Sequence, residues 1–238
     1  TVNDEKILGK KKFSLVRPFL ELGFYGFIYY KFMDQFVISN DYKFVKVELN
    51  GKQNGIFVFQ EGFASELLKS NNKINGLIFR FENDCQDNNL DPINSKYNLG
   101  EFPEISVYQS KLMTKNENLS KQFLYAKRSY DKMTTREITV DSCLDIKLFA
   151  KIIAISEIFD SHHTFQCHNT KLYFNPKTKL FEPIAWDPQC QSIKPLMSLQ
   201  NNSYYASLVG NNSKSSNLIY PIYKLLSESK EFQKMYLK

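Results

Sequence analysis

The chain has 238 residues, of which 42% are hydrophobic and 15% aromatic, including 20 Phe and 14 Tyr. That content supplies a real core and excludes an intrinsically disordered chain. The formal net charge of +6 arises from 31 Lys and Arg interleaved with 25 acids. This describes a mixed, solvated surface, and with no RNA- or DNA-binding pattern alongside it no nucleic-acid partner is expected.

The first element in chain order is helical, within "RPFLELGFYGFIYYKFMDQF" (17–36), with Pro18 near its start, where a missing N–H costs little. Its apolar run from Phe19 to Phe32 is interrupted by Glu21 and flanked by Arg17 and Lys31. It falls short of a spanning segment, and no transmembrane segment is expected. Next, Phe44, Val45, Val47 and Leu49 form one strand pattern and Ile56 to Phe59 another, separated by Asn50-Gly51. Both turn residues tolerate positive φ, so the spacing predicts a β-hairpin. A short helix ended by Asn71-Asn72 and a strand over 75–84 follow.

Residues 84–104 are polar and rich in turn formers. They contain a calcium-loop echo, Asp87-x-Asn89-x-Asp91, which fails because Pro92 replaces the glycine of the sharp turn and Asn98 the bidentate Glu. Helices are predicted over 120–133 and 141–159, the second capped by Asp141 or Ser142 and running directly into Asp160. "CHNTKLYFNPKTKLFEPIAWDP" (Cys167 to Pro188) reads as strand, turn and returning strand, with Trp186 as a core anchor. A Ser/Asn-rich loop and two helical pieces end the chain. The expected architecture is α+β and two-lobed: a small sheet-rich N-lobe over 1–110, and a larger, mainly helical C-lobe over 111–238 with the hairpin inserted. A cleft between them would hold the ligand.

The hairpin gathers chemistry. Its strands lie about 5 Å apart, so Asn169 at its head and Asp187 at its end meet on one edge, with Asp160 just upstream. The order Asp, Asn, Asp is that of protein-kinase sites, in which one Asp orients the acceptor hydroxyl and the Asn and later Asp hold Mg²⁺. Carboxylate and amide oxygens suit that hard ion. The competing readings are structural: helix-end aspartates, Glu61 capping the next helix, Arg80 pairing with Glu82. His162, His163, Cys167 and His168 cluster nearby, but their spacing matches no structural zinc motif. Cys167 beside a His lacks the orienting partner of a thiol nucleophile. Cys85, Cys143, Cys167 and Cys190 contain no CxxC pair; they allow two disulfides in three connectivities or four reduced thiols. Sequons at Asn118, Asn201 and Asn211 matter only in a secreted chain, so the compartment stays open.

"FVKVELNGKQNGIFVFQEGFASELLKSNNKINGLIFRFE" (44–82) and "FDSHHTFQCHNTKLYFNPKTKLFEPIAWD" (159–187) resemble two ordered blocks of the spore-coat CotH kinase family. The matching positions are Asn50-Gly51, Gly55, Glu61, Gly76 and Arg80, then the Asn169 to Tyr173 segment and Trp186-Asp187. The resemblance implies an atypical protein-kinase-like fold, ATP with Mg²⁺ as cofactors, and phosphorylation of Ser or Thr on protein substrates. It implies Asp160 as catalytic residue, Asn169 and Asp187 as catalytic metal-site residues, and Glu61 and Arg80 as nucleotide-facing, with Arg80 a phosphate-directed cation. One departure is Pro188-Gln189 after Asp187, where many members carry a second acid. It leaves as alternatives a catalytically impaired surface or coat-assembly binding protein, secreted or at the cell surface, and nucleotidyl transfer on the same fold.

Overall fold

The computed structural model describes residues 6–18, 23–82, 102–189 and 221–236. The calcium-loop echo, Cys85, Cys190 and the Ser/Asn-rich loop lie outside them. In chain order the first half contains β1 (Phe13–Val16), α1 (Gly23–Met33), β2 (Ile38–Ser39), β3 (Tyr42–Leu49), β4 (Lys52–Glu61), α2 (Ser65–Ser70), β5 (Leu77–Phe81) and β6 (Ile105–Val107). Then come α3 (Ser110–Met113), α4 (Glu117–Thr134), α5 (Ile146–Ile158), β7 (Lys171–Phe174), β8 (Phe181–Ala185), α6 (Pro221–Glu228) and α7 (Lys230–Tyr236).

The β3–β4 hairpin forms at the predicted place. Asn50 (φ 51°) and Gly51 (φ 74°) both adopt the left-handed conformation, which matches the strands' own twist. With β1 on its other side, β4 becomes the centre of a three-stranded sheet, order β1-β4-β3. The second sheet is five-stranded, order β2-β8-β7-β5-β6. Its β2–β8 pair is parallel and its other pairs antiparallel.

This sheet corrects the expected architecture. The fold is a mixed α+β arrangement, but not a sheet-rich N-lobe ahead of a mainly helical C-lobe. β7 and β8 are not an inserted hairpin: they form the middle of a sheet whose other strands, β2, β5 and β6, come from the first 107 residues. The physical reason lies in their burial. Every residue of Lys171–Phe174 and of Phe181–Ala185 is buried, and a lone two-stranded hairpin cannot cover both of its faces.

One apolar core likewise crosses the expected boundary. Leu77, Phe79, Leu172, Phe174 and Phe181 on one sheet face pack with helical residues including Ala126, Phe149, Ile153 and Phe232, and with Tyr42 and Val58 of the three-stranded sheet. Each of the Leu, Ile, Val and Phe side chains contributes about 1.5–3 kcal/mol on burial. The opposite face carries a smaller cluster of Ile38, Ile78, Tyr173 and Ile184 under Leu67 and Leu68 of α2. Asn71, just past α2, clasps β2: its Oδ1 accepts from Ser39 N–H, and its Nδ2 donates to Ser39 O. Gly76 enters β5 so close to β7 that an added Cβ would meet Phe174 O and Tyr173 Cε2, both at 2.9 Å.

Helix α5 is capped by Asp145, whose Oδ1 accepts from Leu148 N–H, not by Asp141 or Ser142. Residues 140–142 form a separate 3₁₀ turn, and Asp145 N–H bonds to Phe181 O of β8. A sheet contact therefore sets where this helix starts.

Candidate active site

The hairpin register places Asn169 and Asp187 at the same end of β7–β8. Lys171 faces Ile184, so two residues before Lys171 and three after Ile184 the chain reaches Asn169 and Asp187. A 3₁₀ turn, His162–Phe165, fills that end. His163 Nε2 lies 3.3 Å from Asp187 Oδ2, and Asn169 Nδ2 donates to His163 O at 3.2 Å. Thr164 Oγ1 donates to Trp186 O. The strand end carrying Asp187 is thus fixed to the same turn that holds Asn169.

Asp187 itself is left-handed (φ 43°), as is Gln189 (φ 41°), a conformation that Asp tolerates better than most residues. Its N–H donates to Tyr30 Oη at 3.0 Å, and Gln60 Nε2 donates to the same hydroxyl at 3.0 Å. Tyr30 on α1 and Gln60 on β4 therefore brace the turn from the three-stranded side. Trp186 is half-buried rather than central to the core; its ring packs edge-on to Phe63 at 4.6 Å, and Phe63 stacks on Tyr108 at 4.7 Å.

Arg80 stands beyond this aromatic row. Its guanidinium lies 5.1 Å from the Tyr108 ring centroid, and its Nε donates to Ser106 Oγ at 3.4 Å. Burial pushes the Tyr108 hydroxyl up to about 12, against the opposing pull of Arg80. The Glu82 pairing does not form: among the described residues no carboxylate comes within ion-pair distance of Arg80.

Glu61 lies elsewhere. It is 1% exposed, pairs with Lys10 at 2.6 Å, and its Oε2 accepts from Asp41 N–H at 3.3 Å. Glu61 does not cap α2, whose N-cap is Ala64. Lys10 borders a small polar pocket of about 180 Å³ with Tyr30, Ser39, Asn40 and Asp41. Tyr30 is shared between this pocket and Asp187, so the two regions adjoin through one side chain.

Asp160 occupies the end of α5. Its N–H bonds to Glu157 O, and Ser161 N–H reaches back to Ser156 O, with Asp160 at φ 50°. These two bonds form a Schellman motif with Asp160 in the position that usually holds glycine.

Sequence reasoning missed Lys171. It is 5% exposed, lies directly opposite Arg80 in the β5–β7 register, and donates to His168 O at 2.5 Å. Burial, then the Arg80 charge, lower its ammonium from the usual range to about 8, with Asp187 acting the other way. Burial and the neighbouring His163 and Lys171 also lower His168. Cys167 is buried and disulfide-bonded to a partner outside the described residues, which removes it as nucleophile or zinc ligand.

The donor chemistry fits Mg²⁺ in a specific sense. Asp187 offers a carboxylate, and Asn169, with its Nδ2 spent on His163 O, offers Oδ1. Among the described residues no three His, Cys, Asp or Glu side chains group to hold a metal. Mg²⁺ commonly binds through one or two carboxylates and completes its shell with substrate phosphates and water. Among the described residues no helix is long and apolar enough to cross a membrane.

The hairpin end thus brings Asn169 and Asp187 onto one turn, with Lys171 and Arg80 on the neighbouring positions of β7 and β5. No curated protein matches the chain. A family model described as CotH kinase protein matches residues 2–238, essentially the whole sequence, and the chain belongs to the CotH kinase family.

Proposed function

We propose that this chain transfers the γ-phosphoryl group of ATP, with Mg²⁺, to Ser or Thr hydroxyls of a protein substrate. The observation that carries the reading is that Asn169 and Asp187 both contact His163 at one hairpin end, with Lys171 on the same hairpin's β7 and Arg80 on the adjoining β5. In this reading Asp187 and the Asn169 amide oxygen hold the metal, which neutralises charge on the transferring group. Arg80 faces the phosphates, and Asp160 orients the acceptor hydroxyl. Glu61 keeps Lys10 in place at the nucleotide-facing pocket. Catalysis then rests on positioning and charge stabilisation, without a covalent enzyme intermediate.

A second reading is a catalytically impaired binding protein on the same fold, acting in surface or coat assembly. Two observations favour it: Gln189 stands where a second acid is expected, and Asp160 already serves as a helix terminator. Incubation of the protein and acceptor proteins with γ- and α-labelled ATP separates the possibilities. Label from the γ position alone supports phosphoryl transfer, label from the α position supports nucleotidyl transfer, and no label supports the binding protein.

A further inference from the structure

We propose that a slot between α1 and α5 binds a free fatty carboxylate, with its apolar tail in the slot and its anionic head on Lys151. This site is independent of the phosphoryl-transfer reading.

Helix α1 is the reason a slot exists. Its sequence, GFYGFIYYKFM, carries one charged residue, Lys31. A surface helix ordinarily keeps a polar face for water; this one is apolar on both sides. Tyr29, Tyr30 and Met33 enter the core, while Phe32 is left 48% exposed. Ile28 and Phe32, with Phe36 just past the helix, form one wall of a cavity of about 450 Å³, and Ile155, Ile158 and Phe159 form the other. That volume lies within the range of small-molecule sites. The rings of Phe32 and the buried Phe159 meet edge-on at 5.7 Å, which closes the floor.

Charge is confined to the mouth. Lys151 lines the cavity, and its Nζ lies 5.4 Å from the Phe36 ring centroid, so its aliphatic stem covers apolar wall while the ammonium meets solvent. No carboxylate lines the cavity, and among the described residues none comes within ion-pair distance of Lys151. Lys151, Ile155 and Ile158 follow one another on one face of α5. The slot is therefore cationic at one end and apolar along the rest. From Lys151 to Phe159 the helix rises about 12 Å, which accommodates an extended tail. The complementary occupant has an apolar body and one anionic end. A membrane surface is held by a spread of cations, whereas a single lysine at a floored slot suits one free chain.

The test is calorimetric titration of the full chain with dodecanoate below its micellar concentration. Wild type is compared with Lys151→Met, Ile155→Trp and, as a surface control, Lys121→Met, and dodecyltrimethylammonium serves as a tail-matched cation. Saturable binding of dodecanoate is expected, weakened about fivefold or more by Lys151→Met, removed by Ile155→Trp, which fills the slot, and unchanged by Lys121→Met. The cation binds more weakly than the anion. Absence of wild-type binding, or equal affinity in a folded Lys151→Met protein, overturns the proposal. Binding confined to vesicles of phosphatidylglycerol assigns the surface to a membrane and overturns it as well. So does wild-type self-association that Ile155→Trp breaks without any dodecanoate binding, which gives the slot to a second copy. Should Ile155→Trp fail to fold, Lys151→Met and the tail-matched cation decide.

Discussion

Replacing Lys171 with Met turns the burial of this cation into a measurable pH effect. In the folded protein its ammonium titrates at about 8, against an ordinary 10.5. Between those values the unfolded chain carries a proton that the folded chain has shed, so wild-type stability rises with pH across that window. Below about 8 both states are protonated, above 10.5 both are neutral, and the contribution is flat at each end. The full shift corresponds to about 3 kcal/mol, of which about 2 kcal/mol falls between pH 8 and 9.5. Lys171→Met lacks this contribution, while the remaining lysines and tyrosines titrate in both proteins and largely cancel. Urea unfolding at pH 7, 8, 9 and 9.5 should therefore show the variant's stability relative to wild type falling by about 2 kcal/mol over the upper part of that range. A difference that stays flat with pH would mean the ammonium is solvated or paired, and would refute the claim of an uncompensated buried cation.

Other substitutions probe the neighbouring parts. Asp160→Gly should raise thermal stability by about 1 kcal/mol, because it relieves a left-handed non-glycine residue and removes a carboxylate from a helix C-terminus. If Asp160 orients the acceptor, the same variant loses γ-label transfer, whereas a purely structural Asp160 loses none. Gly76→Ala should destabilise by about 1–3 kcal/mol in urea, since its methyl group meets the β7 backbone. Glu61→Gln leaves Lys10, only 8% exposed, without its counter-ion; the expected loss is about 3–5 kcal/mol in chemical denaturation, and an unchanged midpoint would deny the pair its structural role.

The local pieces of this fold are well marked in the chain. Asn50-Gly51 dictates its hairpin because few residue pairs accept two successive positive φ angles. The approach of Asn169 to Asp187 follows from antiparallel geometry once Cys167 to Pro188 is taken as two strands. What stays hidden is long-range. β2 and β6 have only 2 and 3 residues, too few for any periodicity, so nothing local shows that β7–β8 lies at the middle of a sheet. The two-lobed expectation failed there. Lys171 was missed for the same reason: a lysine opening a strand reads as exposed until the register sets Arg80 against it and the sheet buries it. Arg80 was noticed as a phosphate-directed cation, but its partner is 91 positions away in the chain. The start of α5 was misplaced because Asp145 is held by Phe181 of β8, a contact that capping propensity does not encode.

The central claim is that the hairpin end around Asp187 handles the phosphates of ATP. Transfer of γ-labelled phosphate to a Ser/Thr-containing acceptor protein, measured with magnesium for wild type and for a folded Asp187→Ala variant, tests it most directly. The account predicts transfer by wild type that falls by about a hundredfold or more in the variant, as expected when a principal metal ligand is lost. Full transfer by Asp187→Ala would contradict it.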